Sequence, residues 1–208
     1  GRNVPLSMKG SGSIAKLNNN LFIARDDGNL ISLRMKTGKL NWLMSISPRS
    51  GRNELESLRD IEMTPYVKDG VLFVGSFQGN LISVDALTGN LIWSIPMSVL
   101  SNIDIDNNYV YIADSNGSIF ALDRFSGFTK WKLDLDDNLV GTQSFSYNKY
   151  IINISTKGHV MVINKSDGQL MTSLSLINDV DNQVKGLLLD KTLYIHSKDG
   201  RLNAIKID

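Results

Sequence analysis

One pattern recurs five times along the chain, and it restricts the fold more than any other feature. Gly28, Gly79, Gly117, Gly158 and Gly200 each open a short run of β-prone residues. In the first four copies a second glycine follows ten residues later, at Gly38, Gly89, Gly127 and Gly168. Three copies place a tryptophan fourteen residues after the first glycine: Trp42, Trp93 and Trp131. The fourth copy has Thr172 at that place, and the fifth runs out at Asp208 before reaching it. Successive copies start 51, 38, 41 and 42 residues apart. A self-similar period near 40 residues indicates a stacked or radial repeat in which no single unit can bury its apolar face alone.

Each copy is preceded by a second shared segment: Leu21–Ala24, Val71–Val74, Tyr109–Ile112, Tyr150–Ile154 and Leu193–Ile195. Each of these follows a polar turn: 18–20, 68–70, 106–108, 148–149 and 190–191. Short β-branched and aromatic runs bounded by Asn, Asp and Gly read as strands joined by hairpins. The run after the first glycine alternates in character, as expected of a strand with two unlike faces. No amphipathic stretch of useful length has a 3.6-residue period. One unit is therefore strand A, turn, strand B, Gly turn, strand C, Thr/Ser-x-Gly-type turn, strand D. In the second unit these fall at roughly 61–67, 71–76, 80–86 and 90–96.

Four antiparallel strands per unit, repeated at this period, specify an all-β fold, a β-propeller of four-stranded antiparallel blades. The expectation is a single partial propeller over 1–208, with units at about 11–46, 61–97, 101–135, 142–177 and 184–208, the last ending after strand C. The paired glycines are expected at positive φ in the B–C and C–D turns. The tryptophans are expected to pack between neighbouring blades. Position four after the first glycine is small in four copies (Ser32, Ser83, Ala121, Ala204), which suggests crowding near the propeller axis; Val162 is the exception.

Composition removes several classes of function. The chain of 208 residues is 42% hydrophobic and 21% charged with a formal charge of +1, a globular balance. Its mixed signs do not form the clustered basic surface of a nucleic-acid binder. No apolar run approaches the ~18 residues that span a bilayer as a helix. There is no cysteine, so disulfides, thiolate nucleophiles and Cys-ligated zinc are absent together. His159 and His196, the only histidines, fall at different phases of the repeat, which separates them as metal ligands. Acidic clusters occur at Asp104 and Asp106, at Asp134, Asp136 and Asp137, and at Asp179 and Asp181. They are dispersed over blade connections and lack EF-hand spacing. Neither a Gly-x-Ser-x-Gly elbow nor a P-loop is present. We expect no catalysis, no metal and no cofactor.

The repeat resembles the quinoprotein-type propeller motif Ala-x-Asp-x-x-x-Gly-x-x-x-Trp, matched best by Ala121, Asp123, Gly127 and Trp131. It is unlike a WD40 repeat, since it has neither Gly-His nor Trp-Asp pairs. Leu58–Val74 followed by Gly79–Trp93 resembles more narrowly the BamB family, periplasmic lipoproteins of the bacterial outer-membrane β-barrel assembly machinery. That likeness extends from Pro5–Gly10 to Lys198–Ile205. It implies a propeller of eight blades on a longer chain, of which these are the five C-terminal units, with the strand missing from the fifth supplied by the N-terminal part. It further implies a place in the periplasm at the inner leaflet of the outer membrane. Membrane contact would then come only through an N-terminal lipid, whose cysteine is not in this sequence.

The resemblance also implies a partner surface. In the family, a Leu-x-Leu-Arg stretch and an Asp-x-Asp pair on neighbouring connections bind the POTRA domains of the central barrel subunit. The corresponding residues here are Leu6, Met8 and Lys9, and Asp60 and Glu62. Unfolded outer-membrane proteins are the implied clients. The 51-residue step between the first two copies lengthens this region, adding about ten residues around 47–60. That stretch reads either as a solvated mixed-charge loop or as a binding loop on a rigid scaffold. Asp60 and Glu62 read alternatively as turn formers paired with Arg59. Two other classes share the repeat: a quinoprotein-type oxidoreductase fragment and an extracytoplasmic sensor propeller.

Overall fold

The computed structural model describes residues 14–25, 28–46, 63–77, 79–99, 102–135, 141–155, 157–175, 184–198 and 200–207, all of them strand, turn or connection and none helical. The chain forms two compact units, Gly1–Leu100 with Phe125–Gly127, and Ser101–Arg124 with Phe128–Asp208.

The first unit holds two four-stranded antiparallel meanders, each hydrogen-bonded in chain order. One consists of β1 (Ile14–Leu17), β2 (Asn20–Ala24), β3 (Asn29–Arg34) and β4 (Leu40–Ser45). The other consists of β5 (Tyr66–Lys68), β6 (Val71–Gly75), β7 (Asn80–Asp85) and β8 (Leu91–Pro96). Strand β5 starts at Tyr66, later than the repeat suggests, because Pro65 has no N–H to give to a ladder. Met63, two residues before that proline, is fully buried and pins the entry into the sheet. A shared core lies between the sheets, with Phe22, Ala24 and Leu30 on one side and Leu72, Val74 and Val84 on the other.

The second unit continues the pattern with β9 (Asp104–Ile105), β10 (Tyr109–Ala113), β11 (Ser118–Asp123) and β12 (Thr129–Asp134). The next sheet is β13 (Gly141–Tyr147), β14 (Tyr150–Ser155), β15 (His159–Asn164) and β16 (Leu170–Ser175). The last has three described strands, β17 (Val184–Leu189), β18 (Thr192–Ser197) and β19 (Leu202–Lys206). Successive residues of a strand face opposite ways, so the middle sheet serves two cores. Ile151, Met161 and Ile163 join the third sheet's Tyr111 and Ile119, while Ile152, Ile154 and Val160 join the last sheet's Leu193 and Ile195. Fully burying each such aliphatic side chain contributes about 1.5–3 kcal/mol.

Local chemistry sets the turns. Asn18, Asp69, Asn148 and Asp190 take positive φ of 49 to 53° in the A–B hairpins, a conformation that short hydrogen-bonding side chains tolerate. The third hairpin uses Asp106 instead, whose Oδ1 accepts from the amides of Asn108 and Tyr109 at 2.9 Å. In the C–D turns a side-chain acceptor recurs: Asp85 Oδ1 takes the amide and hydroxyl of Thr88, and Asn164 Oδ1 takes those of Ser166.

The C–D ladder shifts register at the same place in every complete sheet, between Ser32 and Leu33, Ser83 and Val84, Ala121 and Leu122, and Val162 and Ile163. This repeated bulge seats the strand-D tryptophan directly across from the fourth residue of the motif: Ser32 faces Trp42, Ser83 faces Trp93 and Ala121 faces Trp131. On its other side that residue faces an aromatic of strand B, namely Phe22, Phe73 or Tyr111. The two rings close over it at centroid distances of 5.8, 5.9 and 6.1 Å. The small residue is therefore demanded by this local aromatic bridge, which replaces axis crowding as the reason. In the fourth sheet the flanking residues are Ile152 and Thr172, no ring pair has to meet, and Val162 fits.

Candidate interaction site

The tryptophans fix how adjacent sheets meet within each unit. Trp42 sends its indole N–H to the carbonyl of Ala86 at 3.2 Å, and Trp131 does the same to Lys165 at 2.7 Å. Each ring lies on a C–D turn glycine of the following repeat. A Cβ built on Gly89 would come within 2.7 Å of Trp42, and one on Gly168 within 2.6 Å of Trp131. Gly127, which groups with the first unit, receives Trp93 in the same way, at 2.9 Å. The second glycine of the motif thus satisfies two demands together, a positive φ and a bare surface for a ring. Gly38, at the same place in the first repeat, has φ +66° and nothing within 4 Å of a built Cβ.

The described members of the acidic clusters are held by the fold. Asp104 accepts the amides of Ile105 and Ser146, tying β9 to β13. Asp106 Oδ2 accepts the Tyr111 hydroxyl at 2.8 Å and lies 3.9 Å from Lys165 Nζ. Burial opposes ionisation of Asp106, but the amides of Asn108 and Tyr109, the Tyr111 hydroxyl and Lys165 outweigh it and hold the carboxyl below its ordinary value. Burial, reinforced by the hydrogen bond to Asp106, pushes the Tyr111 phenol upward, so it remains a donor. Asp134 accepts from Lys132 at 2.6 Å and from the Ser118 hydroxyl at 2.7 Å, and both lower its pKa. Asp136, Asp137, Asp179 and Asp181 lie outside the described residues, as does the long stretch 47–60. Among the described residues, no three His, Cys, Asp or Glu side chains come together as they would around a metal ion.

The Asp106–Tyr111–Lys165 network and the capping of the Gly186 amide by Gln143 Oε1 at 2.9 Å escape a reading of the sequence. The first leaves a faint trace, an acid followed at three and five residues by tyrosines; the second leaves none, since 43 residues separate its members. Gly186 is bare for a reason of its own, because a Cβ there would collide with the side chains of Ile154 and Phe145.

Leu6, Met8, Lys9, Asp60 and Glu62 all lie outside the described residues. The strands into which their two stretches lead are described. Strand β1 begins at Ile14 and β5 at Tyr66; they pack against each other in the first unit, and Ala15, Leu17 and Val67 rest on one core.

Known proteins give this framework a family. Residues 2–133 match the family described as outer membrane protein assembly factor BamB. The outer membrane protein assembly factor BamB of Shigella dysenteriae serotype 1 is 28% identical over 201 residues, covering 96% of this chain and 51% of that protein. The chain thus spans about half the length of the curated relatives it matches. The crystal structure of BamB from Moraxella catarrhalis superposes with a TM-score of 0.87 at 22% identity, over 100% of this chain and 62% of that one. A quinohemoprotein alcohol dehydrogenase from Comamonas testosteroni reaches a TM-score of 0.67 at 18% identity, over 79% of this chain and 35% of that one, a likeness of fold alone. The fold is a β-propeller of four-stranded antiparallel blades, and the chain belongs to the outer membrane protein assembly factor BamB family.

Proposed function

We propose that this chain is part of a non-enzymatic scaffold of the outer-membrane β-barrel assembly machinery, working in the periplasm at the inner leaflet of the outer membrane. It docks there on the POTRA domains of the central barrel subunit. Leu6 and Met8 supply apolar anchors, and Lys9, Asp60 and Glu62 supply orienting charge. Apolar contacts carry affinity in such an interface, while charges at its rim set orientation and association rate. The five units form one partial propeller in this reading, and unfolded outer-membrane proteins are its clients.

The observation that supports the site is the packing of β1 against β5, the first strands of two separate sheets. In the amino-acid order each candidate stretch shortly precedes the first strand of a sheet, β1 or β5. In this reading residues 6–9 and 60–62 form one patch despite about 50 intervening residues. Family membership supports the assembly role.

The test is a calorimetric titration with a POTRA fragment. Asp60→Lys combined with Glu62→Lys should weaken binding by ~1–3 kcal/mol, through lost pairing and added repulsion. Stability should change by no more than ~0.5 kcal/mol, as for most exposed substitutions. Undiminished binding by the double variant, or its failure to fold, would count against the assignment.

A further inference from the structure

Strand D is one of the two edge strands of each complete sheet, and the free side of an edge strand presents unpaired backbone donors and acceptors that invite another strand. Three of these four edges carry a feature that the fourth lacks. In β12, Lys130, Lys132 and Asp134 put charge on the edge, and in β8 the strand ends at Pro96, which has no N–H. In β4, which is uncharged, Trp42 fastens the strand to the neighbouring sheet through Ala86. Strand β16 has none of these devices. Its sequence Leu-Met-Thr-Ser-Leu-Ser carries no charge and no proline, Thr172 stands in place of the anchoring tryptophan, and all six side chains are exposed. No described strand pairs with its outer side.

We propose that the outer edge of β16 takes up an extended, uncharged segment of an unfolded outer-membrane β-barrel chain as an added strand. This deepens the assembly reading above and rests on it. The backbone ladder fixes the occupant's conformation, because only an extended chain can match its donors and acceptors along the edge. The side chains fix its character. Beyond the bulge, Thr172 and Leu174 share the face of Val162 and Val160, while Ser173 and Ser175 share the other. An incoming strand meets an apolar-leaning face and a small polar one, the alternation that barrel strands carry. With no charge on the edge, pairing costs no desolvation of an ion and meets no repulsion.

The test transplants the protection of the neighbouring edges. Met171→Lys and Ser173→Lys reproduce Lys130 and Lys132, and Ser175→Pro reproduces Pro96, all at exposed positions. The probe is a fluorescein-labelled uncharged peptide of about ten residues, alternating Val or Leu with Thr or Ser as in a barrel strand. Its control is N-methylated at every second residue, which removes donors while keeping side chains. Fluorescence anisotropy on the 208-residue chain should show binding of the unmodified peptide and a loss of roughly tenfold or more with the control or the triple variant. Equal binding of the methylated peptide by the unaltered chain overturns the proposal even if the variant fails to fold. A self-associated species abolished by the three substitutions, with no peptide bound, also overturns it, because the occupant is then a second copy. POTRA binding measured on the same preparations separates the two ideas. Unaltered chain that binds the POTRA fragment but not the peptide overturns strand addition alone, and chain that binds neither overturns both.

Discussion

Replacing Gly168 by alanine adds one methyl group to a turn, and the structure says what that methyl meets. Two costs act. The first is conformational: φ is +75°, where an L side chain is disfavoured by roughly 1–2 kcal/mol. The second is steric, since the new Cβ would stand 2.6 Å from Cδ2 and Cε3 of Trp131, whereas carbon atoms rest comfortably at ~3.5–4.0 Å. The ring has to retreat by about 1 Å, yet its N–H is bonded at 2.7 Å to Lys165 of the same turn. Overpacking of this kind costs about 1–3 kcal/mol, giving a total near ~2–5 kcal/mol. Gly38→Ala, at φ +66° with nothing within 4 Å, should cost only the conformational ~1–2 kcal/mol. Trp131→Ala alone should cost ~3–5 kcal/mol, but adding Gly168→Ala to it should then cost no more than Gly38→Ala does. The double-mutant cycle is read by urea unfolding followed by far-ultraviolet circular dichroism, which does not depend on the number of tryptophans. A coupling energy of ~1–3 kcal/mol is expected. Additivity within ~0.5 kcal/mol would refute the claim that the glycine is a seat for the ring.

Two further expectations follow from the same geometry. Ala121→Val inserts bulk beneath the Tyr111–Trp131 pair, closed at 6.1 Å, and should cost ~1–3 kcal/mol by chemical denaturation, whereas Val162→Ala, with no ring pair above it, should lose only the ~1.5 kcal/mol of its own burial. Asp106 has a depressed pKa in the folded state, so its contribution is present above the unfolded value of 3.8 and is lost as pH falls through the folded one. Asp106→Asn should cost about 1 kcal/mol at pH 7, and its urea midpoint should fall less than that of the unaltered chain as the pH is lowered below about 5; parallel pH profiles would contradict this.

The parts of the fold that obey a fixed spacing were readable in the amino-acid order. The glycine pairs and the tryptophans announce turn, strand and inter-sheet contact because each is set by local backbone geometry, and the hairpin residues Asn18, Asp69, Asn148 and Asp190 do so for the same reason. The need for a small residue at Ser32, Ser83 and Ala121 was visible but its cause was not. The aromatic that forces it stands six residues before the first glycine in all three copies, at Phe22, Phe73 and Tyr111, but that it faces the small residue follows from the hairpin register, which the spacing alone does not state. Gln143 capping Gly186 and Asp106 holding Tyr111 and Lys165 were hidden because they depend on which strands the topology brings together. The proposed partner residues Leu6, Met8, Lys9, Asp60 and Glu62 rest on family likeness alone, because they fall outside the repeated spacing of glycines and tryptophans.

The central claim, that this chain docks on POTRA domains through the connections entering β1 and β5, is tested most directly by site-specific photo-crosslinking. A benzophenone amino acid is placed at Asp60 or, as a control, at the exposed Lys132 on β12. Illumination with a POTRA fragment should yield an adduct from position 60 that is absent from position 132 and is competed away by unlabelled chain. No adduct from position 60, or equal adducts from both positions, would contradict the account.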